Sequence, residues 1–342
     1  MRVTQSMVMN SYTSRLTKVF ANFDYANQRV ATQRKYLTAA EDPGSTARGY
    51  QLRKSFQQTN DYINNVQDVL DSMDTIDASI RVLSDMAANI HAKLLESKND
   101  TWSSDEREIF ANEILSMQKQ AVDSLNAKFD DKFLFGGSST KKLPFEFDQE
   151  NQVLKYRGID VTTTDPAEQA QLKAWSNEKI FVDIGFGLDV KVDASGNPTV
   201  AENSAFNTSI PGIGFLTKYN NSNVDTTNPE NNFILLLGVI AKTITQEPYD
   251  QQKTGELALQ LSDMHKDVLL AVTKKGADYN FLQQRQDVLK KNSDDINSKL
   301  LNVEFINMEE AIGDMKMADT TYRAVLEMGS RILPPSFIDF MK

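Results

Sequence analysis

The chain contains no cysteine, which excludes disulfides, thiolate nucleophiles and cysteine-based metal sites together. Histidine is nearly missing as well. Only His91 and His265 occur in 342 residues, each inside helix-periodic sequence and without a carboxylate at metal-pair spacing. Trp102 and Trp175 stand alone, which leaves no stacking platform for bases or sugars. Long hydrophobic runs are lacking too: the longest, FILLLGVIA at 233–241, falls far short of the ~20 residues that span a bilayer. The opening MRVTQSMVMNSYTSRL has no apolar core of the secretory type, so the expectation is a soluble chain without a cleaved signal. Positive charge is in deficit. Thirty-seven Lys and Arg face 47 Asp and Glu, for a net charge of −10, which argues against a nucleic-acid or polybasic membrane binder.

Two glycine-rich stretches invite chemistry and fail on spacing. FGGSSTKK follows a helix pattern without the G-x-x-x-x-G-K-[ST] order, and DASGNPT lacks the ligand spacing of a calcium loop. No active site, cofactor or metal is expected, and the chain is read as a non-enzyme.

What the sequence has in quantity is helix periodicity. Met9, Leu16, Phe23, Val30 and Leu37 recur every seven residues, with Tyr12, Val19 and Ala26 between them. This is the stripe of a helix that pairs with another long helix, predicted over about 3–37. Asp42 then reads as an N-cap, with Pro43 at the first helical position where its missing N–H costs nothing. From Leu52 through Ile63, Leu70, Ile80 and Leu94 apolar residues keep three-four spacing, and no proline interrupts through residue 98. Some 50 residues at ~1.5 Å each predict a helix of roughly 75–80 Å. Ser103 with Glu106 has the capping-box pattern and opens another helix, which ends near Asp130.

The texture changes in the middle. KFLFGGSSTKKLPFEFD, VLKYRGIDVTTTD and KIFVDIGFGLDVKVDASGNPTV are short alternating runs divided by Gly, Asn, Asp and Pro, which are strand and hairpin signals. Helix periodicity then resumes, with no proline between Pro248 and Pro334. NVEFINMEE at 302–310 breaks it, and Asn307 with Glu310 repeats the capping pattern. The last segment carries Met308, Met315, Tyr322 and Gly329 at heptad spacing, beside Val325 and Ile332.

The predicted fold is mainly α with an inserted β-rich domain, elongated, its long N- and C-terminal helices paired in a coiled-coil bundle. Three layers are expected: residues 1–42 plus 303–342 as a terminal coiled-coil layer, 43–132 plus 245–302 as a long-helix bundle, and 133–244 as a β-rich outer domain. The breaks at 38–44 and 302–308 would be one boundary crossed twice, capped by Asp42, Pro43 and Asn307. The stripes Met9, Leu16, Phe23, Val30, Leu37, Met315, Tyr322, Val325 and Ile332 are candidates for contact between subunits, with Arg331 and Asp339 as polar companions.

Five phrases in this order resemble the bacterial flagellin family, and most closely its hook-associated branch. They are MRVTQSM, AEDPGSTARGYQLRKS, DDKFLFGGSST, KKGADYNFLQQ and MADTTYRAVLEMGSRILPPSFIDFM, within about 1–145 and 250–342. The resemblance implies a structural adaptor that forms a ring between a preceding hook-associated protein and the first flagellins. It further implies type III export, a cytoplasmic chaperone near the C-terminal helix, and an extracellular place on the flagellum. Filament flagellin itself is the nearby alternative; a helical enzyme and a coiled-coil signalling module come from other classes.

Overall fold

In the computed structural model, residues 5–97, 102–192, 198–201, 203–217 and 225–332 are described. In chain order the helices are α1 (Gln5–Thr32), α2 (Pro43–Ser97), α3 (Ser104–Leu125), α4 (Pro166–Ser176), α5 (Gly212–Leu216), α6 (Phe233–Thr245), α7 (Gln251–Glu304) and α8 (Met308–Ile332). The strands are β1 (Lys128–Phe129), β2 (Lys132–Phe133), β3 (Phe145–Asp148), β4 (Val153–Tyr156), β5 (Ile159–Asp160), β6 (Phe181–Val182), β7 (Val190–Val192), β8 (Pro198–Val200) and β9 (Phe206–Asn207). The architecture is mainly helical with a small β-containing insert. Two compact units result: Met1–Asn60 with Lys290–Lys342, and Asp61–Leu289.

The terminal unit is built on α1 and α8, which run antiparallel, so that Tyr12 meets Val325, Phe23 meets Tyr322 and Arg29 meets Asp314. Small residues, Ala26 and Ala311, are buried along this seam and let the helices approach. Helix α1 ends earlier than its heptad stripe predicts, at Thr32 instead of near Leu37. The reason is local. Gln33 turns into the left-handed region at φ 57°, which redirects the chain. The Gln33 carbonyl then accepts from Ile306 N–H (3.1 Å), and Lys35 N–H donates to the Glu304 carbonyl (2.8 Å). The two helix breaks therefore meet through their backbones, each satisfying groups left open by the other's helix end.

The central unit buries the three-four stripe of α2: Val66, Leu70, Met73, Ile76, Ile80, Leu83, Ala87, Ile90 and Leu94. A buried aliphatic side chain of this kind stabilises by about 1.5–3 kcal/mol, and truncating Leu83 to alanine would cost about 2–5 kcal/mol with the cavity included. Helix α3 starts with the capping box its sequence announces, Glu106 N–H on the Ser103 hydroxyl and the Glu106 carboxylate on Ser103 N–H.

Among the described residues, the insert at 133–244 carries strands of two to four residues together with helices α4, α5 and α6. Helix α6 is the longest of those three. FILLLGVIAKTIT is apolar on every side, and a continuous apolar run does not distinguish a buried strand from a buried helix. Its thirteen residues form a helix that packs on α3 and is buried nearly all round, from Phe233 to Ile244. Asn232 caps it, accepting from Ile234 and Leu235 N–H while donating to Thr217 Oγ1 at 2.6 Å. Three strands stack in the order β3–β4–β5, with Phe145 opposite Tyr156 and Phe147 opposite Leu154. The hairpin β1–β2 turns on Asp130 and Asp131, both left-handed.

Candidate assembly surface

Aromatic packing fixes the α1–α8 seam. The Phe23 ring stacks on Tyr322 at 5.7 Å and 7°, and Phe20 tilts onto the same ring at 5.7 Å. One turn further along α8, Tyr12 Oη donates to the Val325 carbonyl (3.3 Å). Arg29 reaches Asp314 only loosely, at 3.7 Å, and its Nε is buried without a partner.

Met9, Leu16, Phe23, Val30, Leu37, Met315, Tyr322 and Val325 are all half-buried. Each of these side chains is partly covered and partly left to solvent. Leu37 lies beyond α1, in the boundary loop. Ile332 closes α8, and its side chain lies outside the described residues, as does Asp339. Arg331 is exposed and pairs with Glu327 one turn back, at 2.9 Å.

A second apolar set is more than half exposed, and heptad reading did not single it out. Met7 is 62% exposed, Phe20 51%, Met317 70% and Met328 58%. Met7 and Val8 form an open groove with Tyr12, Val325 and Met328, and Arg15 stands at its rim. The signal was available in the sequence: these residues are apolar but off the a/d positions, which widens the stripe beyond what a two-helix seam can cover.

The boundary is held by carboxylates. Asp42 Oδ1 accepts from Ser45 N–H (2.9 Å) at the start of α2, and the Ser45 bonds hold its carboxyl below the usual range. Glu41 collects three donors, Tyr25 Oη (2.7 Å), Thr38 Oγ1 (3.0 Å) and Leu37 N–H (3.2 Å). The Tyr25 bond is the largest influence lowering Glu41, and the same bond raises Tyr25. Asn307 Oδ1 accepts from Glu309 N–H (3.0 Å) and opens α8. Behind them Glu304 is buried, and one of its oxygens takes both Arg53 Nε (2.7 Å) and Nη2 (2.5 Å). Gly49 makes room for it, since a Cβ there would sit 2.6 Å from that oxygen.

Among the described residues there is no group of three or more His, Asp and Glu that could hold a metal ion. His265 lies 2.9 Å from Ser84 Oγ, with its pKa lowered by burial and then by His91. Arg157, Glu178 and Ser138 form a network around the Gly136 carbonyl that folds the turn after β2. Burial alone would raise Glu178, but Ser138 and the Arg157 guanidinium outweigh it and hold the carboxyl below its usual range. No helix among the described residues is long and apolar enough to cross a membrane.

Residues 3–140 match the model of the bacterial flagellin N-terminal helical region. Curated protein sequences give no match. Among solved structures, a protein from Vibrio parahaemolyticus described as a candidate flagellar hook-associated protein superposes with TM-score 0.56 at 14% identity, covering 78% of this chain and 100% of that one. The flagellar hook associated protein-3 of Legionella pneumophila gives TM-score 0.52 at 11% identity, covering 74% and 98%. The chain shares the fold of both.

Proposed function

We propose that this chain is a structural subunit of the bacterial flagellum, joining the hook to the filament as a hook-associated junction protein. The observation that carries the reading is the flagellin N-terminal region at residues 3–140, set within a fold shared with hook-associated proteins over nearly their whole length. The terminal unit suits the role. A two-helix seam that leaves Met7, Phe20, Met317 and Met328 in water is incomplete by itself, and apolar patches of this kind mark protein contacts. Copies of the chain, the preceding hook-associated protein and flagellin are the partners that would cover it, in a ring built after type III export with chaperone help. In that assembly the terminal layer comprises residues 1–42 and 303–342, and Met9, Leu16, Phe23, Val30, Met315, Tyr322, Val325 and Ile332 complete their burial between subunits. The chemistry is adhesive, not catalytic.

Deletion of the gene, followed by electron microscopy of the cells and an immunoblot of the medium, tests this. Bare hooks with unpolymerised flagellin outside the cell support the junction role. Loss of both filament and extracellular flagellin would identify the chain as filament flagellin instead, and normal flagella would reject both.

A further inference from the structure

In the central unit, the arm that leads into β7 leaves its apolar side in water. Leu188, Val190 and Val192 stand at every second position, which puts them on one face of an extended segment. They are 48%, 52% and 69% exposed. The opposite face carries Asp189 and Lys191, paired with each other at 3.4 Å. The base of the arm is anchored to α7. Arg285 donates to the Ile184 and Gly185 carbonyls (2.9 and 2.7 Å), and its guanidinium covers the Phe186 ring at 4.5 Å. The backbone of the arm is open as well. Ala201 N–H donates to the Asp189 carbonyl (3.0 Å), and the register sets Val190 opposite Val200, Lys191 opposite Thr199 and Val192 opposite Pro198. Bonded and non-bonded pairs alternate in an antiparallel ladder, so Val190 and Val192 turn their N–H and C=O groups away from β8. The sheet has only these two strands, and no partner takes those groups among the described residues. The far edge, on β8, is blunted by Pro198, which has no N–H to offer.

We infer that β7 receives an added strand from a different protein, an extended segment with apolar residues at alternate positions. Its backbone bonds the open edge at Val190 and Val192, and its apolar side chains cover Leu188, Val190 and Val192. Main-chain bonds supply the affinity in this mode of recognition, and the alternate side chains supply the selectivity. A lipid surface is a poorer complement, because hydrocarbon cannot satisfy open backbone groups and because Asp189 and Lys191 cancel instead of forming a cationic patch. A second copy is a poorer one too. Two three-residue edges would bury far less than the ~1,200 Å² of a stable interface between folded proteins. The inference is independent of the hook–filament reading, since it concerns peptide binding by the pure protein, and the two can fail separately.

The probe is a short fluorescent peptide that alternates valine with threonine between terminal lysines, titrated with the full chain and read by anisotropy. Saturable binding is expected. Methylating the peptide nitrogens on the bonding edge should abolish it, because donors are lost and the edge is blocked. In the protein, Val190→Pro removes an outward N–H that the β7–β8 ladder does not use, so it should weaken binding about tenfold while the circular dichroism spectrum stays that of the parent. Val192→Lys should weaken binding by a similar factor, about tenfold, through the lost apolar cover. Absence of saturable binding, or binding that survives both the methylated peptide and Val190→Pro, would overturn the proposal. Dimerisation of the chain alone that Val190→Pro abolishes would assign the edge to a second copy instead. Retention on phosphatidylcholine–phosphatidylglycerol vesicles that Val192→Lys abolishes would assign it to lipid, and either result would equally overturn the proposal.

Discussion

Gly329 of α8 lies directly beneath the Tyr12 ring of α1, so close that a Cβ at that position would overlap the phenol oxygen and Cζ. The same hydroxyl donates to the carbonyl of Val325, four residues before Gly329 in α8. Helix propensity alone says that Gly329→Ala should stabilise α8 by about 1 kcal/mol. The contact reverses that sign. A rigid ring must leave the seam, and overpacking of this kind costs about 1–3 kcal/mol. Thermal unfolding followed by circular dichroism should show Gly329→Ala lowering the stability of the terminal unit. Adding Tyr12→Ala should remove most of the further penalty; equal losses with and without the tyrosine would show that the close approach is unimportant.

Arg53 and Glu304 lock the boundary, and their removal should be unequal. Arg53→Ala strands a buried carboxylate, whereas Glu304→Gln keeps an acceptor for the guanidinium and removes the charge that needs it. Half of the Arg53 side chain is in water, which discounts the cost to about 1–2 kcal/mol for Arg53→Ala. Glu304→Gln should cost less than Arg53→Ala in urea unfolding. The opposite order would mean that the pair contributes through charge alone.

The heptad from Met9 to Val30 and the Asp42–Pro43 start were legible because both depend on spacing and on one backbone donor. The end of α1 was not: nothing in ATQRKYL marks Gln33 as the left-handed residue, and what holds it is a carbonyl bond to Ile306, some 270 residues away. Helix α6 was obscure for a different reason, since an all-apolar run has no face to read. Gly49 and Gly329 are helix glycines whose neighbours lie far away in the sequence. Only the partner atoms, the Glu304 carboxylate and the Tyr12 ring, explain them.

Outward and seam positions on the terminal helices should respond differently to an introduced charge. Met317 is 70% exposed, so Met317→Asp should leave the unfolding transition of the isolated chain within about 0.5 kcal/mol of the parent. It should nevertheless abolish incorporation into the flagellum. Leu16→Asp, at a half-buried stripe position, should lose both stability and incorporation. Normal incorporation of the Met317 variant, scored by electron microscopy, would remove the outward set from the assembly surface.

The two units should also respond to acid in separate windows. His265 in the central unit has a folded pKa below its ordinary 6.5, because burial and the neighbouring His91 disfavour its charged form. The unfolded chain therefore takes up the proton first as pH falls. The resulting loss of stability begins near pH 6.5 and levels off once pH is below the folded value. Glu41 in the terminal unit acts in a lower window. Its carboxyl is held below 4.5 by Tyr25 and the loop donors, so its contribution is complete above that pH and is lost as pH falls through the folded value. Unfolding measured between pH 7.5 and 5.5 should thus show a decline that disappears in His265→Gln and persists in Glu41→Gln. A decline of equal size in the His265→Gln variant would assign the neutral-pH sensitivity to another group.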